Sequence, residues 1–152
     1  MNREHVTNWI KSFGRSADEA VSFYAEEFDF ADYPLEQFIR NDKAALRRAF
    51  LPFANRDPDN GFGLHEFDVE EYIGDERAGL IRFSWKARAC SVFFGLQVPP
   101  GTDLVTNGMT YHIYHQGKIA REIVHSDQIH VVKQLGYPID IPHFWEDPNF
   151  GN

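Results

Sequence analysis

Three side chains in this sequence of 152 residues are of a type and placement suited to moving protons: His112, Glu122 and Asp32. His112 and Glu122 flank Gln116-Gly117-Lys118, in the segments Leu104 to His115 and Ile119 to His125, whose alternating pattern predicts the two strands of a β-hairpin. Side chains alternate between faces along a strand, so the length of the connecting loop decides which of them meet. A three-residue loop, His115-Gln116-Gly117 with Gly117 left-handed, puts Thr110, His112 and Tyr114 on one face with Ala120, Glu122 and Val124. A two-residue loop, Gln116-Gly117, gives His112 a face shared with Arg121, Ile123 and His125 instead. Gln-Gly is a poorer primed turn than Asn-Gly, which favours the first register. In that register the Glu122 carboxylate can fix the imidazole tautomer and raise its basicity, making His112 a general base near neutral pH. The same two residues equally fit a hydrogen-bonded pair at a pocket mouth with no catalytic duty.

Asp32 closes the run Phe28-Asp29-Phe30-Ala31-Asp32-Tyr33-Pro34. A carboxyl group walled by Phe30, Tyr33 and other rings loses hydration, has its pKa raised and can hold a proton at neutral pH. An exposed aspartate of an Asp-Tyr-Pro turn is the alternative. Asp127 precedes the helical face Ile129, Val132 and Leu135, where a carboxylate caps free N–H groups, and its expected role is structural. His125, Asp127 and His130 lack a further strong ligand, and His5, His65, His115 and His143 form no ligand spacing, so no metal site is expected. No phosphate-binding glycine loop, nucleophile motif or dinucleotide fingerprint is present, so no cofactor is expected.

Around these residues the chain reads as helices first and strands after, the α+β order. Val6, Trp9, Ile10 and Phe13 have helical spacing, and Ser16-Ala17-Asp18-Glu19 has the capping-box form that starts a second helix running to about Ala25. A short strand over 28–33 follows, then a helix capped by Asn41 or Asp42 with Ala45, Leu46, Ala49 and Phe50 on one face. Beyond the loop at 55–61 the period becomes two, predicting strands over 64–73, 80–90, a continuation through Ser91 to Val98, and the hairpin. The proline- and aromatic-rich stretch Tyr137 to Trp145 is expected to lie extended across the body or a partner subunit, with a disordered end for the last residues as the alternative.

Composition narrows the classes of partner. With 23 acidic against 15 basic residues and no basic stripe, neither nucleic acid nor an anionic membrane is an expected partner. A single cysteine, Cys90, excludes an internal disulfide, and the first residues lack the apolar run of a signal peptide, so a cytoplasmic setting is expected. Fourteen Phe, 6 Tyr and 3 Trp suggest a core, or a cavity, walled by aromatic rings.

Gly117-Lys118-Ile119, Asp127 ten residues after that glycine, Gln134-Leu135-Gly136, and the upstream Gly95-x-x-x-Pro99-Pro100-Gly101-Thr102 loop form a joint pattern. This pattern, over about residues 80 to 136, resembles the SnoaL-like polyketide cyclases of the NTF2-like superfamily. The resemblance implies one domain over 1–152, with 137–152 as its tail, in which a strongly curved sheet wraps around the N-terminal helices and leaves a cone-shaped cavity. Trp9, Phe13, Trp85, Thr110, Tyr114 and Val124 are then candidate walls of the pocket. Asp32 falls where the superfamily commonly delivers a polar residue to it. The histidine and aspartate used by the cyclases fall here on Thr110 and Val124, which cannot exchange protons, so the chain departs from that mechanism. Three readings follow. One is cofactor-free proton transfer next to a carbonyl of a small apolar substrate (cyclisation, isomerisation or dehydration), with His112 as base, Glu122 as its partner and Asp32 as acid. The second is a pocket that only binds a ligand. The third is an interaction module, and a homodimer is expected in any case because Met109, Tyr111 and Ile113 would otherwise be exposed on the outer sheet face.

Overall fold

The structure, a computed structural model, describes residues 1–93 and 95–151. Helix α1 (Arg3–Ser12) buries Val6, Trp9 and Ile10 on one side, and the Asn2 side chain caps it by accepting from the His5 N–H. Helix α2 (Ala17–Ser22) is capped by Ser16, and α3 (Lys43–Phe50) by Asp42, which accepts from the Ala45 N–H at 2.8 Å. The second helix stops three residues sooner than its pattern predicts. Tyr24 already pairs with Ile119, and the Ile119 N–H bonds the Phe23 carbonyl at 2.9 Å, so sheet pairing overrides the continuing helix.

The main sheet comprises β1 (Tyr24–Asp32), β2 (Gln37–Arg40), β3 (Phe62–Gly74), β4 (Ala78–Cys90), β7 (Leu104–His115) and β8 (Lys118–Ser126), in the order β2-β1-β8-β7-β4-β3. Every neighbouring pair is antiparallel except β1 and β8. The inner face of β7 carries Leu104, Thr106, Gly108, Thr110, His112 and Tyr114, all buried, while the intervening residues face out. Gly108 is required by packing, because a Cβ there would strike the Phe83 ring and come within 2.8 Å of the His125 carbonyl oxygen.

One expectation fails here. Ser91 to Val98 does not continue the sheet: β5 (Val92–Phe93) and β6 (Leu96–Gln97) form a separate two-stranded ribbon. Ala89 at φ +53° turns the chain out of β4, and Ser91 bonds back to Gly61 instead. Phe94 in this stretch, and Asn152 at the end of the expected tail, lie outside the described residues. The expected tail is exposed in the single chain. After helix α4 (Gln128–Gln134), residues 136–151 are exposed throughout, with a short 3-10 turn at Phe144–Glu146 and Trp145 79% exposed. The backbone N–H groups of Tyr137 and Ile139 bond the carbonyls of Val132 and Tyr137.

The core is one cluster between the helices and the concave face of the sheet. Phe13 sits near its middle, with ring centroids 5.5 Å from Trp9, 4.7 Å from Phe50 and 5.5 Å from Phe67. Among the described residues no helix is long and apolar enough to cross a membrane.

Candidate active site

The hairpin between β7 and β8 sets the site, by a route different from the expected one. Its loop is the two-residue Gln116-Gly117, with φ of +48° and +77°, a primed turn. That loop alone would turn Glu122 away from His112. A bulge intervenes: Tyr114 pairs with Ile119 but Ile113 pairs with Arg121, so Ala120 is an extra residue that turns β8 over. His112 therefore stands opposite Glu122, and Thr110 opposite Val124. The three-residue loop is thus corrected: Glu122 and Val124 face His112 and Thr110 as expected, but Ile119 rather than Ala120 stands opposite Tyr114.

Glu122 is 2% exposed and sits at the centre of a buried polar network. Its Oε1 accepts from the Thr110 hydroxyl at 3.0 Å and lies 3.5 Å from His112 Nε2. Its Oε2 accepts from the Tyr24 hydroxyl. Burial, and then the charge of Glu122, hold the Tyr24 phenol well above its usual range, so the proton stays on the tyrosine. His112 Nδ1 lies 3.2 Å from the Tyr114 hydroxyl, whose pKa burial also raises, while His112 Nε2 has no hydrogen-bond partner among the described residues. The Trp9 indole packs edge-on against the His112 ring at 4.5 Å between centroids. Its own N–H is buried without a well-formed acceptor, although it is directed near the Tyr24 hydroxyl.

A cavity opens from this network between the helices and the sheet. Its walls are mainly aromatic: Trp9, Phe13, Phe30, Phe50, Phe83 and Trp85. About 90 Å³ of it is open to the centre of a water molecule, several times the roughly 10–15 Å³ that a single water needs. Leu35, Gln37, Phe93, Ser126 and Gln128 line it and are only half-buried, which puts the mouth on their side, whereas Trp9 and Glu122 form the floor.

Asp32 lines the same cavity and is 8% exposed. Residues 29–32 of β1 run parallel to β8, Phe30 aligning with Glu122 and Asp32 with Val124, so the two carboxylates are delivered to one wall by adjacent strands. Asp32 Oδ1 accepts from the Leu35 N–H at 3.1 Å. Burial is the main cause that pushes its pKa up to about 6, with the Glu122 charge adding to it and the Leu35 bond opposing it.

Of the residues expected at the site, Asp32, Glu122, Trp9, Phe13, Trp85 and Val124 line the cavity. His112, Thr110 and Tyr114 do not: they stand behind Glu122 and Trp9, filling the interior. His112 is 1% exposed, with the Trp9 ring 4.5 Å away between centroids and Glu122 Oε1 3.5 Å from its Nε2. Asp127 caps α4, accepting from the His130 N–H at 3.0 Å. Among the described residues no three His, Cys, Asp or Glu side chains come together as a metal-ligand set. Sequence reasoning missed Tyr24, Gln37, Ser126 and Gln128. Tyr24 could have been found by extending the period of β1 backward past its irregular stretch to the next buried ring.

No protein-family model matches the sequence, and no curated protein sequence matches it. Solved structures do match in fold. A protein of ketosteroid isomerase-like fold from Catenulispora acidiphila, solved with trimethylamine, superposes with a TM-score of 0.71 at 12% identity, covering 91% of this chain and 96% of that one. A protein assigned as a polyketide cyclase from Acidithiobacillus ferrooxidans gives a TM-score of 0.68 at 18% identity, covering 88% and 92%. AclR from Streptomyces galilaeus, assigned as a hydroxylase, gives 0.70 at 13% identity, covering 92% and 83%. The chain thus has the α+β cone fold of SnoaL-like and ketosteroid isomerase-like proteins.

Proposed function

We propose that the cavity binds a small, largely apolar carbonyl compound and moves a proton on the carbon next to the carbonyl, without a cofactor. The observation that carries this reading is a buried carboxyl group, Asp32, with its pKa pushed up to about 6, lining an aromatic cavity beside a second buried carboxylate. A base whose pKa lies near the working pH is mostly free to accept a proton yet still basic enough to take it from carbon. Asp32 takes and returns the proton. Glu122, held by Tyr24 and Thr110, raises the proton affinity of Asp32 through its charge. The Trp9 ring closes the floor against which the carbonyl end of the ligand sits, its N–H turned toward the Tyr24 hydroxyl. His112 is assigned a positioning role behind Glu122, with Nε2 3.5 Å from Oε1. Cyclisation, isomerisation and dehydration all begin with this step, and assignments of structural neighbours as polyketide cyclases agree with it.

Isotope exchange tests the step without a known substrate. An aryl methyl ketone incubated in deuterated buffer should lose its methyl proton signal in NMR spectra faster with the protein than without it. Asp32→Asn should slow the catalysed exchange by about 100-fold or more. Exchange at the uncatalysed rate with the wild-type protein defeats the reading, and defeats it in favour of a pocket that only binds.

A further inference from the structure

The cavity has a second polar pole at its mouth. Gln128, the first residue of α4, donates from Nε2 to the Ser126 hydroxyl at 2.7 Å, and both side chains line the cavity. Gln128 Oε1 is buried and has no hydrogen-bond partner among the described residues. A buried amide oxygen without a donor is a standing loss of hydration that a bound donor would recover. Ser126 accepts from Gln128, so its own O–H remains available as a donor. One acceptor and one donor therefore lie side by side at the mouth, and a ligand hydroxyl, which both donates and accepts, satisfies both at once.

The same strand fixes where this pair lies relative to the floor. Glu122, Val124 and Ser126 alternate onto the cavity face of β8, so the Glu122 and Ser126 backbones are about 13 Å apart at roughly 3.3 Å per residue. We propose that Ser126 and Gln128 form a specificity subsite for a hydroxyl group at the end of the ligand remote from the carbonyl, with the apolar body of the ligand against Val124 and the rings between. The subsite rests on the reading of the cavity as a carbonyl site. It adds that the preferred ligand is elongated and carries a hydroxyl at its far end.

Two naphthyl methyl ketones test it, one with a hydroxyl on the ring remote from the carbonyl and one without. Their dissociation constants can be read from quenching of tryptophan fluorescence, since Trp9 and Trp85 line the cavity. The hydroxylated ketone should bind the wild-type protein about tenfold more tightly, the usual effect of leaving a buried acceptor unpaired. Gln128→Leu and, as the milder change, Ser126→Ala should each bring the hydroxylated ketone toward the affinity of the plain one. Equal affinities of the two ketones for the wild-type protein overturn the subsite, as does equal weakening of both ketones by either substitution. If neither ketone binds, the carbonyl-site reading and the subsite fall together. If the hydroxyl preference is present but methyl protons are not exchanged, the subsite stands and the proton-transfer reading alone fails.

Discussion

Replacing Asp32 by asparagine should make the protein more stable at neutral pH, although it removes the proposed base. In the fold the carboxyl group is 8% exposed, and its pKa is raised from 3.8 to about 6, chiefly by burial. The folded state therefore holds a proton on Asp32 at pH values where the unfolded chain has already lost it. Stability contributed by that proton is present below about pH 4, falls as pH rises toward 6, and is gone above it. At about 1.4 kcal/mol per tenfold change in proton affinity, the rise from 3.8 to about 6 corresponds to about 3 kcal/mol of destabilisation at pH 7. Asparagine keeps an Oδ1 acceptor for the Leu35 N–H, 3.1 Å away in the native protein, and carries no charge to desolvate. Urea unfolding of both proteins at several pH values measures the difference directly. The Asp32→Asn variant should gain about 3 kcal/mol at pH 7 and almost nothing at pH 4. A gain of equal size at both values would refute the reasoning, because it could not come from titration of Asp32. A loss at pH 7 would mean that the carboxylate is stabilised in the cavity and that the physical basis of the proposed base is absent.

Other perturbations test separate parts of the structure. Asp127→Ala should cost about 1 kcal/mol of unfolding free energy in denaturant titrations and leave ketone exchange intact, as expected for a helix cap. Gly108→Ala should destabilise by about 1–3 kcal/mol, since the added methyl meets Phe83 and the His125 carbonyl inside the sheet. Tyr24→Phe strips a donor from buried Glu122 and should cost about 1–3 kcal/mol in the same titration.

The local signals in the chain were legible where they act locally. Ser16 and Asp127 cap helices where their wording places them, and the period-two segments 104–115 and 118–126 are strands. What could not be read are features decided by tertiary contacts. The Ala120 bulge leaves no mark on the alternation that would distinguish it from a longer loop, so Glu122 and Val124 could be expected on the right face for the wrong reason while Ala120 was misplaced. β2 is four residues long with an even mixture of exposed and half-buried positions, too short to show a period. Asp32 was recognisable as a carboxyl group among rings, but its partnership with Glu122 depends on a parallel pairing between segments some ninety residues apart. The wall formed by Trp9 in front of His112 comes from a helix packing over the sheet, which spacing along either element does not encode.

The outer sheet face remains the basis for expecting a second copy. Met109 is 50% exposed and Tyr111 40%, with Leu80 at 41% on the adjacent strand, while Ile113, expected to be exposed with them, is half-buried. Light scattering at micromolar concentration should give the mass of a dimer, and a monomer's mass would count against that expectation.

The most direct measurement for the account as a whole is the pH profile of deuterium exchange into the aryl methyl ketone, recorded for the wild-type protein and for Asp32→Asn. The base must be ionised to take a proton from carbon, so the wild-type rate should rise with pH, reach half its maximum near the Asp32 pKa of about 6, and level off above it. The Asp32→Asn profile should lack that rise and follow the uncatalysed rate. An Asp32→Asn profile that retains the wild-type rise and plateau would place the exchanging base elsewhere and contradict the central role given to this carboxyl group.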